Sequence, residues 1–230
     1  MKRFFFAFAG LLVAFPLLAQ DFKPRETWPF LYENFQPGVL RLTDGTLAAD
    51  ALFNVAVPDG TLMFVGEDET IMQADMSRIY TVRVGDDTFV NVMGRLYKVL
   101  SEVEGGALVL GAEVDVDQLN KVSIGYGISS STASAQGLVN ILDGRFDAGG
   151  RSVAQSEQDK YSGKELPVKE TFYLKIGMQL IPASRSEVLN TPGVDKKAAN
   201  AFFKQEKIKW RDPASLEKLL SFVAQQLNQN

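Results

Sequence analysis

The chain has 230 residues, 46 % of them hydrophobic, which is length and apolar content enough for one sizeable core or two small ones. It contains neither histidine nor cysteine, and this excludes Ser-His-Asp and Cys-His catalysis, histidine or thiolate metal sites and disulfide staples together. The 28 acidic residues outweigh 24 basic ones, for a net charge of −4, a balance that argues against nucleic acid as a partner.

The opening MKRFFFAFAGLLVAFPLLAQ has Lys2 and Arg3, an apolar run from Phe4 to Leu18, then Ala19 before the polar Gln20 and Asp21. Basic start, apolar middle and small-residue end are the pattern of a secretory signal peptide, here residues 1–19. The run is shorter than the ~20 residues of a membrane-spanning helix, and Pro16 interrupts its end. An exported protein is therefore expected, with the periplasm, the outer-membrane surface and the exterior all open as destinations. Residues 20–37 form an extended aromatic lead-in, in which Trp28, Phe30 and Tyr32 alternate. They are expected to lie across a sheet as a lid, the alternative being a ligand-stacking ladder.

From Gly38 the alternation becomes regular. Leu40 and Leu42 share a strand face, Asp44-Gly45 marks a tight turn, and Leu47, Ala49, Ala51, Phe53, Val55 and Val57 share one face of a returning strand. Stretch 35–57 thus predicts a β-hairpin. Pro58-Asp59-Gly60 leads into TLMFV, a short IMQA segment follows, and IYTVRV turns through Gly85-Asp86-Asp87 into TFVNV. Gly94 precedes RLYKVL, and Gly105-Gly106 precedes ALVLGAEVDV, whose Leu108, Leu110, Ala112, Val114 and Val116 share a face. Short strands joined by short turns, with no helix between them, predict an antiparallel meander and argue against a parallel Rossmann-type sheet.

Residues 117–167 are rich in Ser, Gly, Ala and Gln and read as a long insertion and a candidate contact region. TFYLKIGMQLIPA then resumes the strand pattern, with Phe172, Leu174 and Ile176 alternating. Beyond it the period changes. Ser184 to Glu187 fits a capping box for a short helix that stops at Asn190-Thr191-Pro192-Gly193. A second helix is expected over Val194 to about Lys207, with Val194, Ala198, Ala201, Phe202 and Gln205 near one face. Asp212-Pro213 opens a third, whose Leu216, Leu219, Leu220, Val223 and Leu227 form an apolar stripe.

Carboxylate chemistry survives the loss of histidine and cysteine. Asp44, Asp59, Asp86 and Asp87 could form a glycosidase-like pair or a calcium cluster, but turn geometry alone explains them. Asp115 and Asp117 share a strand face and resemble half a calcium site, without the glycine and distal glutamate of a dedicated loop. Ser129, Ser130, Ser131 and Ser134 lack the Ser-x-x-Lys spacing of a histidine-free nucleophile. No P-loop, dinucleotide fingerprint or HExxH occurs. Lys196 to Arg211 carries six basic residues against one acidic residue. Its Lys196, Lys197, Phe203, Lys204, Lys207, Lys209 and Trp210 form the candidate interaction site, suited to an anionic membrane surface or acidic glycans. The competing reading is a solvated helix face whose aromatics are core.

PFLYENFQPGVLRLTDGT, TLMFV, VGDDTFV, RLYKVL with ALVLGAEVDV, TFYLKIG, NAFFKQEKIKW and DPASLEKLLSFV occur in that order over residues 28 to 227. In this the chain resembles a family of uncharacterised exported envelope proteins common in Bacteroidota. The resemblance implies an envelope compartment and a β-meander followed by helices, and it implies no reaction.

The expected fold is α+β: an antiparallel meander sheet over residues 38–183, interrupted by the insertion, with a helical segment, 184–230, packed against it. A flat sheet, a sandwich and a partly closed barrel fit the pattern equally. The expected function is non-enzymatic and without cofactor: binding another envelope protein or a scaffold, through the insertion or exposed sheet edges. The alternatives are an apolar-ligand or lipid-binding protein using the Leu108 to Val116 face and, below it, a carboxylate-based glycan hydrolase.

Overall fold

A computed structural model of the chain describes residues 25–26, 29–49, 51–115, 151–152, 165–166 and 168–228. The signal-peptide reading, Trp28, Val116, Asp117 and Ser129 to Ser134 lie outside the described residues.

The fold is α+β with an antiparallel meander, as expected, and the sheet curls into a half-barrel. Its strands are β1 (Arg25–Glu26), β2 (Gln36–Leu42), β3 (Leu47–Ala48), β4 (Leu52–Val55), β5 (Leu62–Val65), β6 (Thr70–Gln73), β7 (Ile79–Val84), β8 (Asp87–Val92), β9 (Arg95–Val103), β10 (Gly106–Val114), β11 (Arg151–Ser152), β12 (Glu165–Leu166), β13 (Val168–Ile176) and β14 (Gln179–Pro182). Three helices follow: α1 (Arg185–Asn190), α2 (Lys196–Gln205) and α3 (Pro213–Asn228). The main sheet runs β11-β6-β5-β4-β2-β7-β8-β9-β10-β13-β14, with β3 also on β2, while β1 and β12 pair apart from it. Two-residue strands β11 and β12 fall within the insertion, against β6 and β1.

The turns follow from Asp-x-Thr and Asp-x-Ser. The carboxylates of Asp44, Asp59, Asp68 and Asp75 accept the backbone N–H of the residue two further on, at 2.8 Å from Thr46, 3.0 Å from Thr61, 3.2 Å from Thr70 and 3.1 Å from Ser77. Each such bond closes a turn locally. Hydrogen bonds from Thr46 hold Asp44 below its ordinary pKa, and those from Thr70 and Ser77 do the same for Asp68 and Asp75.

The expected hairpin forms at Asp44-Gly45, where Gly45 takes φ 86°, but its returning strand is broken. β3 pairs with β2 through Leu40↔Ala48 and Arg41↔Leu47, and β4 pairs with the other end of β2 through Gln36↔Phe53 and Pro37↔Leu52. Leu47, placed on the apolar face by alternation, is 66 % exposed, whereas Phe53, Val55 and Val57 are buried. The reason is that β2 must serve β7 along Gly38 to Leu42 while the chain bends towards β4. Gly38 makes that crossing possible: a Cβ there would stand 2.1 Å from the Arg83 carbonyl oxygen and 2.9 Å from the Phe53 ring.

The lead-in is not a lid laid across the strands. It runs beside β4, where the Leu31 N–H donates to the Val55 carbonyl at 2.8 Å and the Val57 N–H to the Pro29 carbonyl at 2.7 Å. A buried extended segment must satisfy its backbone groups, and the neighbouring strand supplies the partners. Its side chains still cover the sheet: Leu31 and Tyr32 join the core of Phe53, Val55, Leu62, Val82, Phe89 and Leu96. Phe64 of β5 and Val168 of β13, far apart in sheet order, pack on this same cluster, so this face is the inside of the curl.

The helices cover the same inner face at its β9–β10 hairpin end, where α3 lies on both strands. Leu216, Leu219, Leu220, Val223 and Ala224 are buried against Leu108, Leu174 and Ile176, and Leu227, from the expected stripe, is partly buried there. The Ser184 hydroxyl caps α1 by accepting the Glu187 N–H at 3.3 Å. In α2 the buried positions are Ala199 and Phe203 rather than Ala198 and Ala201. Val194 precedes the Asp195 cap, so a face counted from Val194 starts outside the helix and is out of phase. Phe202 stacks on Phe222 with centroids 4.3 Å apart, and Phe203 meets Trp210 edge-on at 5.2 Å; the first ties α2 to α3.

Gly38→Ala is expected to cost about 1–3 kcal/mol by overpacking the β2–β7 crossing, and Leu220→Ala about 2–5 kcal/mol through the cavity under α3. Urea unfolding of both variants checks this; a Gly38→Ala protein as stable as the parent contradicts the crossing geometry.

Candidate functional site

Between the lead-in and the helices the inner face carries a row of half-buried side chains. Phe89, Lys98, Leu110 and Phe172 stand in register across β8, β9, β10 and β13. Phe89 is buried under Tyr32, whose ring meets it edge-on at 6.4 Å. Lys98, Leu110 and Phe172 are half-buried. Alongside, Ala112, Val114 and Val168 are half-buried, and Glu170, opposite Ala112, is exposed. The result is an apolar strip bounded by a cation on one side and a carboxylate on the other.

The polar margin is a built cluster. The Tyr32 hydroxyl donates to Asp87 Oδ2 at 2.6 Å, and Lys98 Nζ lies 2.8 Å from Asp87 Oδ1. Lys98 pairs with Phe89 across the β8–β9 ladder, so Asp87 is its diagonal neighbour on the same face. Burial first, then the hydrogen bond and negative charge of Asp87, push the Tyr32 phenol far above its ordinary pKa. Phenol and ammonium occupy one carboxylate oxygen each, so Asp87 serves as a fixed counter-ion and holds both groups in place.

Tyr32 is positioned by Asn54, a fully buried amide on β4. Its Oδ1 accepts the Tyr32 N–H at 3.0 Å, and its Nδ2 donates to the Tyr32 carbonyl at 2.9 Å. The side chain thus replaces a ladder pair where residues 31–34 bend away from β4.

The basic segment named from sequence divides. Lys196, Lys197 and Lys204 are exposed on α2, and Lys207 and Lys209 are exposed just beyond it. Phe203 is buried and Trp210 half-buried against it, so Phe203 belongs to the core rather than to a contact surface. Asp44 and Asp59 are engaged in their own turns, and Asp115 sits at the end of β10. Among the described residues no three acidic side chains gather to hold a metal.

Sequence reasoning missed Asn54 and Lys98, read Tyr32 as one of the alternating aromatics of the lead-in rather than as a partner of Asp87, and grouped Asp87 with the turn aspartates. One signal was available: Asn54 is polar within the otherwise apolar LFNVAV, and a buried amide in a strand must have partners.

Tyr32 also gives a pH dependence. At pH below about 10 the phenol is neutral in both folded and unfolded chains, and its contribution is constant. Above that the unfolded chain releases the proton and the folded chain keeps it, so stability falls as pH rises, by up to about 1.4 kcal/mol per pH unit. Burial also raises Tyr97 and Tyr173, so Tyr32→Phe is expected to lessen the alkaline slope without removing it; an unchanged slope in denaturant titrations from pH 9 to 11 contradicts the assignment. Asn54→Leu strands the Tyr32 N–H and carbonyl, at about 1–3 kcal/mol each, measurable by urea unfolding. No protein-family model, curated protein or solved structure matches this chain.

Proposed function

We propose that this is an exported, non-enzymatic protein of the cell envelope that binds another envelope protein through the apolar strip of its inner face. The observation that carries the reading is Leu110, half-buried beside Lys98 and belonging to neither core, between Phe172 at the margin of the helix core and Ala112, Val114 and Val168 at the margin of the lead-in core. Apolar surface framed by charges is the composition of a protein-contact patch. The lack of histidine and cysteine and the internally paired Asp87 support a binding role over a catalytic one. Export rests on the pattern of residues 1–19 and on the family resemblance.

Contact at a sheet edge has less support. The outer strands of the described sheet are β11, of two residues, and β14, of four residues ending in Pro182; short, proline-bearing edges accept partner strands poorly. The apolar-ligand reading needs space along the Leu108 face between sheet and helices, but Leu108 is fully buried under α3.

A photo-crosslinking residue at Leu110 in native cells is expected to capture one protein, while the same residue at the exposed Glu102 does not. Leu110→Asp with Phe172→Asp is expected to reduce recovery of that protein at least tenfold with the secondary structure retained. Lipid adducts in place of protein support the apolar-ligand reading, and equal capture from both positions removes the strip from consideration.

A further inference from the structure

We infer that the outer ridge of α2 and the turn after it form a second, separate surface that docks on an anionic lipid bilayer. Lys197 and Lys204 are seven residues apart, two turns of helix and roughly 10 Å along its axis, and both are exposed while Ala199 and Phe203 are buried. Lys196 is exposed at the first turn of the helix, on the side of Phe203, and Lys207, Lys209 and Arg211, all exposed, follow the helix end. Glu206 is the only acidic residue between Lys196 and Arg211, and Lys218 of α3 already pairs with it at 3.0 Å. Asp195 and Asp212 flank the segment at its two ends, and among the described residues no ion pair is formed by Lys197 or Lys204 between them.

Lys207 adds an independent observation. The Ile208 N–H donates to the Phe203 carbonyl at 3.2 Å and the Glu206 N–H to the Phe202 carbonyl at 2.9 Å, the closing bonds of a helix end. Lys207 occupies the left-handed position of that end, with φ 50°, where glycine is the usual residue. A lysine there is conformationally unfavourable, and its gain is a charge at the tip of the ridge.

The shape selects the occupant. Pockets for small anions need donors converging on a point, whereas this ridge is the convex side of a helix and spreads its charges along a line. Ile208 and Trp210 alternate with these cations but pack on the helix core, so attraction to negative headgroups rather than apolar insertion carries the contact.

Vesicles of phosphatidylglycerol and phosphatidylcholine, and of phosphatidylcholine alone, are mixed with the protein that expression of the full chain yields. Cosedimentation is measured at low and high salt. Binding is expected only to the anionic vesicles and to weaken as salt shortens the screening length from about 10 Å to about 3 Å. Lys197→Gln with Lys204→Gln is expected to weaken it at least tenfold, whereas Arg83→Gln with Lys169→Gln, which removes equal charge from the sheet, changes it less than twofold. Lys207→Gly separates binding from folding, because it is expected to raise the melting temperature while weakening vesicle binding several-fold. Equal binding to both vesicle types, equal losses from the two double variants, or binding to a soluble polyanion such as heparin without vesicle binding would each overturn the inference.

Discussion

Burying an extended segment against a strand that does not match it in register is the constraint on which the inner face depends, and the Asn54 amide resolves it. Residues 29–31 pair with β4 through backbone bonds, Gln36 and Pro37 pair with it again, and between them the chain bends away. A bend inside a core leaves an N–H and a carbonyl without ladder partners. Asn54 offers one acceptor and one donor on a planar group, which is what the missing residue pair would have supplied. With Tyr32 fixed at that bend, its hydroxyl reaches Asp87, and Asp87 in turn holds Lys98 at the edge of the apolar strip.

The half-barrel follows from what is available to cover the curled face. A wide antiparallel sheet must bury its apolar inner face or expose it, and here the outer face also carries buried apolar clusters around Val92 and Val109 and around Met63. The lead-in covers the β4 to β8 side, and the helices cover the hairpin end of β9, β10 and β13. The edge-on contact of Tyr32 with Phe89 anchors the first cover, and Leu216, Leu219, Leu220 and Val223 against Leu108, Leu174 and Ile176 anchor the second. Their margins approach the row of Lys98, Leu110 and Phe172 from opposite sides, with Phe172 packed on the helix core and all three side chains half-buried.

What was legible in the sequence is what local chemistry decides. The Asp44-Gly45 turn, the burial of Phe53, Val55 and Val57, the Ser184 cap and the stripe of α3 each need only near neighbours, and each formed as read. The division of the hairpin's return into β3 and β4 was not legible, because it depends on β2 serving β7 and β4 at once. The buried face of α2 was misphased by a residue outside the helix. The Tyr32-Asp87-Lys98 cluster was invisible because its members come from the lead-in, β8 and β9 and meet only through the curl of the sheet.

Asp86 and Asp87 show how far residue type falls short of role. Both belong to one Gly-Asp-Asp turn, and composition treats them alike. Asp86 is exposed, while Asp87 begins β8 on its inner face, two residues from Phe89. The pleat that turns alternate side chains to opposite faces thus separates neighbours of identical chemistry into solvent and core margin. Position likewise distinguishes two kinds of cation in this chain, Lys98 on a strand and the lysines of α2. Lys98 is neutralised within the fold and frames an apolar strip, whereas the ridge lysines keep their charge for whatever meets them. An apolar strip with paired charges favours a partner that brings shape and apolar surface; an unpaired cationic ridge favours one that brings negative charge. The two proposed surfaces therefore differ in the chemistry that each would recognise.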